Sequence, residues 1–134
     1  MPIAATYRDA AEGSELPTLT TKPIDPLTLS LFAGGSGDHN PIHLDRDFAQ
    51  ANGFEDVFAH GMLSMAYLGR LLSNWAPPER IKDFSTRFIS ITPIRSVVTC
   101  SGVVAAIVEE DGESYAKLQL ATKLPDGVQT LAGD

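Results

Sequence analysis

The sequence predicts an α+β domain in which one long helix is wrapped by an antiparallel sheet. Three observations carry this expectation. After Gly61 the residues Met62, Leu63, Met65, Ala66, Leu68, Leu71, Leu72 and Trp75 are apolar almost all the way round, broken only by Ser64, Arg70, Ser73 and Asn74. A helix with so little polar face belongs inside a protein. The runs 84–94, 97–109 and 114–123 are rich in Val, Ile, Thr and Phe, which favour extended chain. Asp111–Gly112 and Asp126–Gly127 mark hairpin turns between and after them. Helices first and an antiparallel meander afterwards gives a helix lying on a curved sheet.

Taken in order, the first 20 residues are small and polar and weakly patterned, an arm or an edge strand. Residues 26–33 place Leu27, Leu29, Leu31 and Phe32 on a short helix, with Asp25 as its cap and Pro26 at its first position. Gly34, Gly35 and Gly37 are expected to end it. Residues 36–45 form a shaped loop, because Pro41 removes a backbone donor and disfavours helix at Asn40. A second short helix covers 45–51 and stops at Asn52 and Gly53. The central helix spans about 61–75. Among the strands, Tyr115, Lys117, Gln119, Ala121 and Lys123 alternate with Ala116, Leu118 and Leu120. A fourth strand starts at Val128, and it is either short or trimmed at Asp134.

Composition narrows the function classes. With 134 residues, 43% hydrophobic, the chain suits a single domain over 1–134 with a packed core. A net charge of −7 and a pI near 4.8 fit neither nucleic acid nor an anionic membrane surface. Cys100 is alone and makes no internal disulfide. Arg8 and Asp9 stand where a leader peptide needs an apolar run. The charge-free stretches 57–69 and 96–108, 13 residues each, are too short to span a bilayer. The expectation is a soluble cytoplasmic protein with no nucleic-acid or membrane partner.

Residues with catalytic potential are concentrated. Ser36, Asp38, His39, Asn40 and His43 share the proline-braced loop, and His60 opens the apolar helix. An Asp and a His five apart in such a loop can face one small volume, hold a water and move protons both ways. Ala59–His60–Gly61 begins a helix whose free N–H groups and positive dipole end stabilise an oxygen gaining negative charge. Gly61 allows a carbonyl to approach closely. A base, an acid, an oxyanion site and apolar surface suit chemistry alpha and beta to a carbonyl. His39 and His43 have the helical metal spacing, but Pro41 argues against that helix, so no metal is expected. His60 is read as structural, its ring hydrogen-bonded near the helix start. Met65, Leu68 and Leu72 are core residues that can also line an acyl tunnel, with Gly69 leaving room for it.

The run Ser36-Gly37-Asp38-His39-Asn40-Pro41-Ile42-His43, followed by Asp45, Ala49, Gly53, Phe54 and Ala59-His60-Gly61-Met62-Leu63, resembles the MaoC-type, (R)-specific enoyl-CoA hydratase family and its 3-hydroxyacyl-thioester dehydratase relatives. The resemblance implies the hot-dog fold. It implies that Asp38 and His43 grip the reactive water, that the Gly61 N–H meets the thioester carbonyl, and that Asn40, with Ser36, positions the loop. Which of Asp38 and His43 is acid or base stays open. The implied reaction is reversible syn hydration of a trans-2-enoyl thioester to the (R)-3-hydroxyacyl product. No metal or redox cofactor is involved, and coenzyme A or phosphopantetheine is the substrate's handle. The implied assembly is a homodimer, or a heterodimer with a second hot-dog chain. Two alternatives remain: a dehydratase on carrier-protein substrates in fatty-acid or polyketide synthesis, and a non-catalytic acyl-thioester-binding subunit. A short connection at Arg95–Ser96 departs from the longer hairpin of relatives.

Overall fold

In the computed structural model, which describes residues 2–134, Asp25 sets the first helix. Its Oδ1 accepts from the Thr28 N–H at 2.8 Å and the Thr28 hydroxyl at 2.7 Å, and these bonds hold the Asp25 carboxyl below its ordinary value. The helix, α1 (Pro26–Ser36), closes at Gly37, whose left-handed φ of 81° turns the chain and whose N–H donates to Ala33 O. Gly34 and Gly35 therefore lie inside α1, correcting the expectation that they end it. Both face open space, and a glycine costs a helix only about 1 kcal/mol. Buried Leu29 and Ala33, with half-buried Phe32, hold the last turns against that penalty.

A 3₁₀ turn at Pro41–His43 leads into α2 (Arg46–Ala51), whose first N–H groups are capped by Asp45. The long helix α3 (Gly61–Trp75) buries Leu63, Ser64, Leu68, Leu71, Leu72 and Trp75 and packs on the sheet through β3 (Thr99–Glu110) and β4 (Glu113–Lys123). The Trp75 Nε1–H donates to Ala4 O at 3.0 Å, pinning the N-terminal arm across the far end. Gly61, Met62 and Ala66 stay exposed. One chain thus wraps α3 on part of its circumference, less completely than its apolar sequence predicts.

The remaining strands are β1 (Leu19–Thr20), β2 (Thr86–Phe88) and β5 (Gln129–Gly133), and the antiparallel sheet runs β1-β3-β4-β5-β2. Both predicted hairpins form. Asp111 and Gly112 have φ of 51° and 79°, the paired left-handed residues of a type I′ turn. A register shift between Val104 and Ala106 bends the sheet around α3. The N-terminal arm ends as the edge strand β1 on β3, and Gln129–Gly133 is the expected fourth strand.

The run 84–94 behaves differently from its composition. Only three residues form a strand, and they pair with β5 at the far edge (Thr86↔Gly133, Phe88↔Leu131), not with β3. Beyond β2 the chain crosses the entry to α3. Ala59 N–H donates to Thr92 O, and Phe58 bridges Pro93. Arg95, at φ 69°, then turns the chain toward Ile24, whose carbonyl accepts the Arg95 N–H. Thr92 and Pro93 thus seat the start of α3, and the short connection at Arg95–Ser96 exchanges backbone bonds with Ile24.

Candidate active site

Three side-chain-to-backbone turns carry the chain from α1 to the 3₁₀ turn. Ser36 Oγ accepts from the Asp38 N–H at 3.2 Å, Asp38 Oδ1 from the Asn40 N–H at 3.2 Å, and Asn40 Oδ1 from the Ile42 N–H at 3.1 Å. Short polar side chains bond their own backbone two residues on, which shapes a loop that has no sheet or helix partner. Ser36 and Asn40 accordingly act on the loop's shape, and Pro41 starts the turn that ends at His43.

His43 is buried and doubly constrained. Its Nδ1 lies 2.7 Å from Phe58 O. A carbonyl only accepts, so Nδ1 carries the hydrogen and the neutral ring keeps its lone pair on Nε2. That Nε2 stands 3.9 Å from Asp38 Oδ2, with the Asp38 side chain 49% exposed and the His43 side chain 10% exposed. One partner is therefore wet and the other dry. The Phe58 ring meets the imidazole edge-on at 5.2 Å.

His60 lies face to face with His43, ring centroids 3.9 Å apart and planes 27° apart. Its Nε2–H donates to Asp38 O at 3.1 Å, and the edge of Phe32 closes its other side at 4.9 Å. Burial holds its pKa below the ordinary imidazole value; the nearby His43 adds to that, and the Asp38 carbonyl and carboxylate oppose it. Its ring is hydrogen-bonded near the helix start, as read from the sequence, but the bond reaches back to the 36–45 loop. His39 is exposed and stands outside this cluster.

Gly61 follows directly. As the first residue of α3 its N–H has no intrahelical acceptor, and His60 supplies no side-chain cap. The helix therefore offers unclaimed donors at its positive end. A Cβ at Gly61 would fall 2.9 Å from Phe88 Cδ1, so the glycine admits the half-exposed Phe88 ring. Phe88 and the Phe58 carbonyl are contributors that the sequence reading missed. Phe88 had the signal of an aromatic in an extended run; a backbone carbonyl leaves none.

The four tunnel candidates straddle a boundary. Leu68 and Leu72, one turn apart, are core residues at 0% and 4% exposure. Met65 and Gly69 form the neighbouring row and are half-exposed, with the Phe84 ring 3.5 Å from where a Gly69 Cβ would lie. A cavity of about 880 Å³ is an open cleft at the opposite end of α3, lined by Tyr7, Leu72, Trp75, Ile81 and Tyr115 among others. It contains none of Ser36, Asp38, Asn40, His43 or Gly61.

Asp38, His43 and His60 offer ligand atoms within 4.8 Å of one another, yet the set does not suit an ion. Imidazole nitrogens coordinate in the ring plane, and two stacked rings do not bring two lone pairs onto one centre. His60 Nε2 is already committed to Asp38 O.

Residues 9–123 match the MaoC like domain. The chain belongs to the MaoC-like domain family. Over 106 residues this MaoC-like chain is 34% identical to the (R)-specific enoyl-CoA hydratase of Rhodospirillum rubrum, covering 78% of the chain and 72% of that enzyme. Its structure resembles the unliganded R-hydratase PhaJ1 of Pseudomonas aeruginosa, with a TM-score of 0.82 at 25% identity over 96% of this chain and 81% of that one. It also resembles the ChsH1–ChsH2 complex of Mycobacterium tuberculosis, with a TM-score of 0.78 at 26% identity over 92% and 93% of the two chains. The hot-dog architecture of the MaoC-like family is the sheet-and-helix arrangement described above.

Proposed function

We propose that this chain is a hydro-lyase that interconverts trans-2-enoyl and (R)-3-hydroxyacyl thioesters, with Asp38 and His43 as the reacting pair. The observation that carries the reading is the 3.9 Å gap between Asp38 Oδ2 and His43 Nε2, beside a helix start with unclaimed N–H groups. Two groups that each hydrogen-bond one water at about 2.8 Å stand about 4–5 Å apart, so this gap is at the close end of a one-water bridge. In hydration, His43 Nε2 takes a proton from that water while Asp38 orients it and balances the imidazolium. Oxygen bonds to C3, electron density moves through C2 into the thioester oxygen, and the Gly61 N–H meets that oxygen. The proton then returns from the pair to C2 on the same face. A donor aimed at a developing oxyanion contributes about 3 kcal/mol in comparable sites. The reaction as proposed draws on no metal or redox group.

Coenzyme A is the proposed handle, with the acyl chain running along the Met65–Gly69 row and the cytoplasm as compartment. We further propose a homodimer. Strand β2 is a sheet edge, and Met62, Phe88, Ile89 and Ile91, apolar residues on and beside it, are 46–56% exposed. An open edge with apolar side chains is covered by pairing. A second hot-dog chain in place of the self-copy is the alternative outcome, and sedimentation of the purified protein alone decides it.

The function is tested by loss of the conjugated-enoyl absorbance of crotonyl-CoA, followed by chiral analysis of the 3-hydroxybutyryl product. The (R) product is expected, with kcat falling about 10³-fold in Asp38→Asn and in His43→Gln. Undiminished activity in both variants overturns the assignment of the pair. A wild-type chain silent on short and long acyl chains favours the non-catalytic subunit.

A further inference from the structure

We propose that His60 is a positioning residue of this site: a single buried imidazole that holds Asp38 by its backbone and His43 by its ring, keeping the two reacting side chains at their working separation. The proposal rests on the reading of Asp38 and His43 as the reacting pair.

Two contacts of one ring carry it. The Nε2–H donates to Asp38 O at 3.1 Å, and the ring face lies against that of His43 at 3.9 Å. A role confined to the helix start is a poor account of this residue. His60 makes no side-chain cap bond to α3, and its Nδ1 is buried without a hydrogen-bond partner. An unpaired buried polar atom is destabilising. A phenylalanine between Phe32 and His43 would fill the same space without that penalty. What phenylalanine lacks is the one N–H that reaches the catalytic loop.

The protonation pattern follows from the partners. Asp38 O only accepts, so the hydrogen sits on His60 Nε2 and the lone pair on Nδ1. A second proton would put a charge and an unpaired N–H into a site 1% exposed, and burial already holds the group below its ordinary value. The groups facing the ring are His43, Asp38 and the uncharged Phe32. Staying uncharged matters because His43 becomes an imidazolium during turnover, and a second cation stacked on it would oppose that step.

The test separates the donor from the ring. His60→Phe keeps a ring and removes the N–H; His60→Gln keeps an amide N–H near the same place. With crotonyl-CoA, kcat is expected to fall about 10²-fold in His60→Phe with KM little changed, since loss of alignment acts on the chemical step. His60→Gln is expected to recover most of that loss. The second readout needs no turnover: long-range ¹H–¹⁵N spectra of the imidazoles. In the wild type His60 is expected as the Nε2–H tautomer, titrating below the ordinary imidazole value, and His43 as the Nδ1–H tautomer. His60→Phe is expected to shift the His43 signals. Full kcat in His60→Phe, equal impairment of both variants, or a wild-type His60 that titrates near its ordinary value each overturns the proposal. A wild-type chain that shows these tautomers, with the expected His43 shift in His60→Phe, yet does not hydrate crotonyl-CoA supports the positioning role and sinks the hydratase reading instead.

Discussion

The two ends of α3 are built on opposite principles. At its C-terminal end Trp75 is buried and its one polar atom is satisfied by Ala4 O, and buried Leu71 and Leu72 surround it. At the N-terminal end Gly61 and Met62 are exposed, the leading N–H groups are unclaimed, and His60 carries a nitrogen without a partner. The first arrangement minimises free energy; the second leaves donors and a lone pair available. One helix thus closes the core at one end and leaves polar groups free at the other.

Trp75→Ala should give the largest effect at the packed end, destabilising by about 3–5 kcal/mol in urea unfolding. In protein that remains folded at low temperature kcat should be unchanged, and a matching fall in kcat would erase the distinction. Gly61→Ala should do the reverse, lowering kcat about 10²-fold with a small change in Tm, because the half-exposed Phe88 ring can swing away. The loss should persist in a Phe88→Ala background; recovery there would make ring displacement, and not carbonyl access, the cause. A smaller effect concerns pH. An unfolded imidazole takes a proton near its ordinary value of 6.5, whereas folded His60 is held below it, so the unfolded state binds more protons and stability falls as pH drops below about 6.5. Unfolding at about pH 5.5 and about pH 7.5 should show a shallower dependence in His60→Phe than in the wild type. Least of all, Cys100→Val should leave activity intact. The buried Cys100 thiol is pushed up to about 11 by burial, so it should react with Ellman's reagent only after unfolding.

The shape of the 36–45 loop was legible because its hydrogen bonds are local. Ser36, Asp38 and Asn40 each bond backbone two residues ahead, so a contiguous run of sequence contains both the side chains and the reasons for their placement. The Asp25 cap and the Asp111–Gly112 turn were legible for the same reason. What escaped is what crosses the chain. The pairing of β2 with β5 is set by the whole sheet, so an extended run at 84–94 looked like a neighbour of the next one. Gly34 and Gly35 carry a helix-ending propensity that packing of Leu29, Phe32 and Ala33 overrides. Met65, Leu68, Gly69 and Leu72 were read together as tunnel candidates, but only the folded sheet decides that Leu68 and Leu72 are buried while Met65 and Gly69 are half-exposed.

The crossing of 92–93 over the entry to α3 has a consequence for biosynthesis. Ala59 and Phe58, which carry the seat of His43 and lead into Gly61, are held by Thr92 and Pro93. A nascent chain exposed only as far as about residue 90 already contains Asp38, His43, His60 and Gly61 but lacks the strap that holds Phe58 and Ala59. On the proposed mechanism competence therefore waits for that strap, and a product truncated before Thr92 should be inert toward thioesters despite an intact motif.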